Sequence, residues 1–189
     1  MFLLTKKTIV AAQYNMNYLS EIYSSFALDL HYNDYRHILD CFSLNENSHR
    51  DSGGSTVYYK DEFKYPYEID TNNNYINFVK QSLTVYPFLQ DVEFSKAWWV
   101  DYPLHSYNGF HSHNPGPQLT SVLFLTTSEV DDYNPHEGFL YSLNNGDYNE
   151  YRPVAGNLHI FDGTVWHGTY PTLQPRKVFV CDFTYRLAV

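Results

Sequence analysis

Downstream of Pro87 the chain repeats one pattern: a short run of aromatic and β-branched residues, then a turn rich in Gly, Pro or Asn. The runs fall at 92–100, 119–127, 138–143, 157–161 and 176–187. Such side chains suit a pleated, half-buried surface, and short strands punctuated this regularly belong to a sandwich or jelly roll. The pattern predicts an α+β, mainly β fold: a double-stranded β-helix over 91–189, with 1–90 as helical or mixed N-terminal support, in a single domain over 1–189. The length of 189 residues, 43% hydrophobic and 19% aromatic, is enough to bury a sizeable core.

Upstream of Pro87 the apolar spacing changes. Tyr75, Ile76, Val79, Leu83 and Tyr86 recur at helical intervals, which predicts a helix over 71–86, capped by Asp70 or Thr71 and stopped by Pro87. Residues 14–44 carry two weaker helical patterns: Leu19, Ile22, Tyr23 and Phe26, then Tyr35, Ile38, Leu39 and Phe42. Residues 1–12 read as a strand or extended arm, 45–56 as a loop by composition, and 56–60 as a short strand.

Composition narrows the function classes. The formal net charge is −9, with 12 Lys and Arg against 21 Asp and Glu and no basic cluster, so no nucleic-acid partner is expected. Cys41 and Cys181 lie in no metal or redox spacing and read as two buried free thiols. The N-terminal MFLLTKKTIV lacks the charge-then-apolar order of a secretory signal, and no run approaches a membrane span. A soluble, cytoplasmic protein with no membrane partner is the expectation. The oligomeric state is left open.

The candidate chemistry sits in 98–127, where His111-Ser112-His113 precedes a Pro/Gly turn and an apolar strand. Residues i and i+2 of a strand share a face, so two imidazoles separated by one small residue can bind one ion. His167 is the candidate third ligand, since a jelly roll brings early and late strands together at its mouth. A three-histidine set with open positions suits iron(II) and also zinc. Arg176 begins the next strand nine residues on (176 − 167), where its planar guanidinium could hold the distal carboxylate of a keto acid bound to the metal. Each residue alone has a plainer reading: a solvent-facing His pair, a structural His167, a strand-end Arg. Only the combination points to a site.

These pieces together resemble the iron(II)/2-oxoglutarate-dependent oxygenase superfamily, and within it the small oxygenases of phage and bacterial genomes. The matching residues are Trp99; His111-Ser112-His113-Asn114-Pro115; Ser121-Val122-Leu123-Phe124-Leu125; Gly138-Phe139-Leu140; Gly156-Asn157-Leu158-His159-Ile160-Phe161; His167; and Arg176, a likeness that covers about 92–186. The resemblance implies Fe(II) on His111, His113 and His167, 2-oxoglutarate on the iron and Arg176, and hydroxylation of a small molecule or protein side chain. Two departures stand out. His113 occupies the position of the superfamily's usual carboxylate, and Arg176-Lys177-Val178 replaces its Arg-x-Ser. A further hydroxyl for the keto acid would come from Tyr102 or Thr120.

The remaining polar residues read more plainly. His105 is a loop histidine or a second layer to the site. His136-Glu137 lacks the second histidine of a zinc-protease helix. His159 should face away from Leu158 and Ile160, one of Trp98 and Trp99 should pack the core while the other faces the cleft, and Arg50–Ser55 reads as a surface loop or a lid. Two other functional classes remain open: a non-catalytic jelly roll with a structural or carbohydrate-binding role, for instance in a virion, and a three-histidine dioxygenase that uses no keto acid.

Overall fold

The computed structural model describes residues 27–40, 48–50, 56–58, 74–113, 116–130, 132–144 and 146–188. It contains two antiparallel sheets. The elements are β1 (Ala27–His31), α1 (Tyr35–Asp40), β2 (Ser48–Arg50), β3 (Thr56–Tyr58), α2 (Asn74–Leu83), β4 (Leu89–Tyr102), β5 (Gln118–Phe124), β6 (Leu140–Asn144), β7 (Asp147–Tyr151), β8 (Asn157–Asp162), β9 (Trp166–Thr169) and β10 (Arg176–Leu187). The larger sheet runs β1-β8-β5-β10-β4-β3-β2 and the smaller β7-β6-β9. This is the predicted double-stranded β-helix.

Alternation along the central strands sends side chains to two different interiors. Trp99 of β4, Leu119 and Leu123 of β5, Leu158 and Ile160 of β8, and Phe179, Cys181 and Phe183 of β10 join one core. Val100 and Tyr102, Val122 and Phe124, Phe161, and Val178 and Val180 from the same strands join a second core with Leu140 of the small sheet. Because both faces are covered, the central parts of these strands, Ala97–Val100, Val122–Phe124 and Val178–Cys181, are runs of apolar residues rather than a polar/apolar alternation.

The first core is closed by α2, whose Tyr75, Ile76, Val79 and Leu83 are buried at helical spacing. Each such side chain contributes about 1.5–3 kcal/mol by leaving water. The Tyr75 hydroxyl donates to Ser121 Oγ at 3.1 Å, and Ser121 donates in turn to the Cys181 carbonyl at 3.2 Å, so both hydroxyls carried in here are satisfied. At the end of α2 the Thr84 hydroxyl takes the Gln81 carbonyl at 2.7 Å, three residues before Pro87.

The N-terminal half departs from the sequence expectation in places. Ala27–His31, inside a stretch with helical spacing, is a strand paired with β8, because pairing offers Leu28 and Leu30 a place against the first core. Ser48–Arg50 is a strand within the expected loop, and it pairs with the anticipated strand at 56–58. The expectations for 1–12, for Leu19 to Phe26, for Phe42, Cys41, Asp70, Thr71 and for 51–55 lie outside the described residues. Cys181 is free and buried. Among the described residues no helix is long and apolar enough to cross a membrane.

Candidate metal centre

His111 and His167 meet because their backbones pair. His111 N donates to the His167 carbonyl and His167 N to the His111 carbonyl, both at 2.8 Å. In an antiparallel pair, residues that exchange both bonds place their side chains on the same face. His113 lies two residues along that segment, with its own N–H on the Gly163 carbonyl at 2.8 Å, so it returns to the same face as His111. One nitrogen from each of the three imidazoles lies within 4.8 Å of the others. Their ring centroids are 4.4, 5.5 and 5.1 Å apart for the 111–167, 111–113 and 113–167 pairs.

The tautomers follow from what the Nδ1 atoms touch. His111 Nδ1 donates to the Gly109 carbonyl at 2.7 Å and His167 Nδ1 to the Val165 carbonyl at 2.9 Å. His113 Nδ1 faces Asp182 Oδ1 at 3.0 Å. Every Nδ1 therefore carries its proton toward an acceptor, and Nε2 keeps the lone pair, the arrangement that metal-binding histidines require. Burial, reinforced by the neighbouring His111 and His113, holds the His167 pKa well below its ordinary value despite the bond to Val165. The His167 ring is therefore neutral at pH 7. The residues present fit a divalent ion.

The histidines open onto a cavity between the sheets, walled by Trp98, Val100, Tyr102, Val122, Phe124, Leu140, Val178 and Val180. Trp98 stacks on the His113 ring with centroids 5.7 Å apart, while its neighbour Trp99 is buried in the other core, as alternation predicts. Arg176 does not itself line this cavity; it is fully buried against two of its walls, its Cζ 4.1 Å from the Tyr102 ring centre and 5.9 Å from that of Phe124. None of its three guanidinium nitrogens has a hydrogen-bond partner among the described residues. Burial pushes its pKa down to about 10, with Tyr102 and Glu137 drawing it back up, so it stays charged at neutral pH. Gly138, at φ +61°, makes room for it: a Cβ there would lie 3.2 Å from Arg176 Nη1. Lys177 is on the opposite face of β10, its N–H on Thr126 Oγ1 at 3.0 Å.

Other candidates sit elsewhere. Thr120 does not line the cavity; its hydroxyl donates to Asp182 Oδ1 at 2.8 Å, behind His113. His105 is exposed in the loop after β4. His136 pairs with Glu150 at 2.9 Å on the surface. His159 does turn away from Leu158 and Ile160, but into the second interior, where Nδ1 meets Asp29 at 2.7 Å and the ring packs on Tyr151. Asp182 was not anticipated. The available signal was period two along β10, which puts a carboxylate on the same face as Arg176, Val178 and Val180.

No protein-family model and no curated protein matches the chain. Solved structures do. A Pseudomonas putida prolyl-4-hydroxylase aligns at TM-score 0.61 and 17% identity, covering 86% of this chain and 93% of that one. A 2OG-Fe(II) oxygenase family oxidoreductase from Burkholderia pseudomallei aligns at TM-score 0.65 and 12% identity, over 92% of each chain. EvdO2 from Micromonospora carbonacea var. aurantiaca, solved with 2-oxoglutarate, aligns at TM-score 0.62 and 14% identity, covering 95% of this chain and 94% of that one. The fold is therefore that of the iron(II)/2-oxoglutarate oxygenases along almost the whole chain, at 12–17% sequence identity.

Proposed function

We propose that the protein is an Fe(II)- and 2-oxoglutarate-dependent dioxygenase that hydroxylates a small molecule or a protein side chain. One observation carries the reading: a fully buried guanidinium with no hydrogen-bond partner among the described residues lies against Tyr102, a wall of the cavity onto which the three histidines open. A buried cation without a partner costs several kcal/mol, and a ligand carboxylate would remove that cost by pairing bidentately.

His111, His113 and His167 would hold the iron through Nε2, and Arg176 would take the distal carboxylate of the keto acid. Tyr102, whose ring lies under the guanidinium, would supply the additional hydroxyl. When bound, iron with 2-oxoglutarate supplies oxidative decarboxylation of the keto acid coupled to hydroxylation of a C–H bond. The valines at 100, 122, 178 and 180 keep water from the charged ligand, which strengthens its pairing with Arg176.

Anaerobic titration of the Fe(II)-loaded protein with 2-oxoglutarate tests the reading. Wild type should develop the visible metal-to-ligand charge-transfer band, and His167→Ala should lose it. Stoichiometric iron with no band would overturn the keto-acid step in favour of a three-histidine dioxygenase that needs none. Failure to bind metal at all would leave the non-catalytic jelly roll.

A further inference from the structure

His113 stands where facial triads usually offer a carboxylate, yet a carboxylate is present one layer behind it. Asp182 is fully buried, and Oδ1 accepts from His113 Nδ1 at 3.0 Å and from the Thr120 hydroxyl at 2.8 Å. Its other oxygen meets Lys96 Nζ at 3.2 Å. Two of these three partners come from one row across the sheet, since Asp182 is in register with Lys96 of β4 and with Thr120 of β5. Lys96 is partly exposed and also lies over Trp98, 5.1 Å from the ring centre, and Trp98 stacks on His113. The neighbouring positions on this face of β10 are Val180 and Val178. A valine at 182 would continue that surface without the cost of burying a charge. Packing does not explain the carboxylate; its contact with His113 does.

We propose that Asp182 and His113 form one ligand unit, in which Asp182 positions the imidazole and strengthens Nε2 as a donor, while Lys96 moderates that effect from the outer oxygen. A carboxylate accepting from Nδ1 holds the ring in the metal-binding tautomer and raises its basicity. Thr120 keeps Oδ1 aimed at the ring. The inference rests on the metal-centre reading, and it makes Asp182 a positioning residue rather than one that touches the metal.

The test is metal affinity, measured anaerobically with Fe(II), and in parallel with Co(II), by competition with a chromophoric chelator. Asp182→Asn keeps the side-chain shape and should weaken affinity about tenfold to a hundredfold. Lys96→Met leaves the carboxylate acting on His113 alone and should tighten binding about threefold. A carboxylate that merely held strands together would give unchanged or weaker binding in Lys96→Met, because removing its ion-pair partner can only loosen the site. The 15N shifts of the His113 ring in the zinc-loaded protein provide a second readout: they should move in Asp182→Asn while those of His111 stay. Should Asp182→Asn misfold, the direction of the Lys96→Met effect still decides the matter. Wild-type binding that depends on all three histidines, with neither variant altering it, overturns this inference and leaves the metal centre standing. Wild type that binds neither ion overturns both.

Discussion

The histidine cluster in the cavity and the arginine buried against its wall are built on opposite principles. At the histidine end every Nδ1 is engaged from behind, by the Gly109 and Val165 carbonyls and by Asp182, so three lone pairs face inward and the protein itself holds the geometry. Around Arg176 the described residues offer the buried cation the Tyr102 ring and the charge of Glu137, but its guanidinium nitrogens have no hydrogen-bond partner among them. The first end is preorganised for an ion and stable without one. The second leaves a buried guanidinium that, on the proposed function, a ligand carboxylate would pair with.

Replacing the arginine should break this contrast most visibly. Arg176→Met removes an unpaired buried charge, so the ligand-free protein should gain about 1–3 kcal/mol in chemical denaturation. The same variant should bind 2-oxoglutarate about a hundredfold or more weakly in the charge-transfer titration, because the distal carboxylate would be desolvated without a partner. A ligand-free variant that is clearly less stable than wild type would mean that the guanidinium already has a partner, and the two ends would not differ as described.

A smaller effect should come from the cradle. Gly138→Ala places a Cβ 3.2 Å from Arg176 Nη1 and on a backbone at φ +61°. It should cost about 1–2 kcal/mol of stability through the left-handed conformation. It should also raise the 2-oxoglutarate concentration needed for half-saturation while leaving metal affinity unchanged. An equal loss at both ends would show that Gly138 supports the whole cavity.

Acid should act on the histidine end alone. The His167 pKa in the folded protein lies below the value of about 6.5 expected of the unfolded chain, so the unfolded state takes up the proton first. Stability of the metal-free protein should be full above pH 6.5 and should fall below it, by up to about 1.4 kcal/mol per pH unit for this one ring. His167→Gln should flatten the slope between pH 6.5 and 5. A slope that survives the substitution would assign the acid sensitivity elsewhere.

Much of this contrast is legible in the chain. The run 176–187 reads as a strand and is one, because buried β-branched and aromatic residues dominate it on both faces. The helix at 74–83 follows from the spacing of Tyr75, Ile76, Val79 and Leu83. Ala27–His31 is less legible, since five residues with two leucines fit a helix turn as well as a strand and only the free edge of β8 selects the latter. Strands β7 and β9 are too short and too polar to be recognised locally, and their pairing with β6 is what defines them. Thr120 is a candidate by residue type, but the row it shares with Asp182 turns its hydroxyl toward Asp182 and His113 rather than toward Tyr102 and Arg176.

The sequence by itself determines what depends on neighbours along the chain. Period two puts His111 and His113 on one face, separates Trp98 from Trp99 and Arg176 from Lys177, and marks residues that prefer a pleated surface. It cannot carry the meeting of residues far apart, because cross-strand register depends on which edges are free and how the loops close. Tertiary structure alone decides that His111 and His167 exchange backbone hydrogen bonds. It alone decides that Asp182 reaches His113 across a separation of 69 residues. And it alone decides that Arg176 is enclosed with no hydrogen-bond partner among the described residues, since a group becomes unsatisfied only when the rest of the fold has taken its place around it.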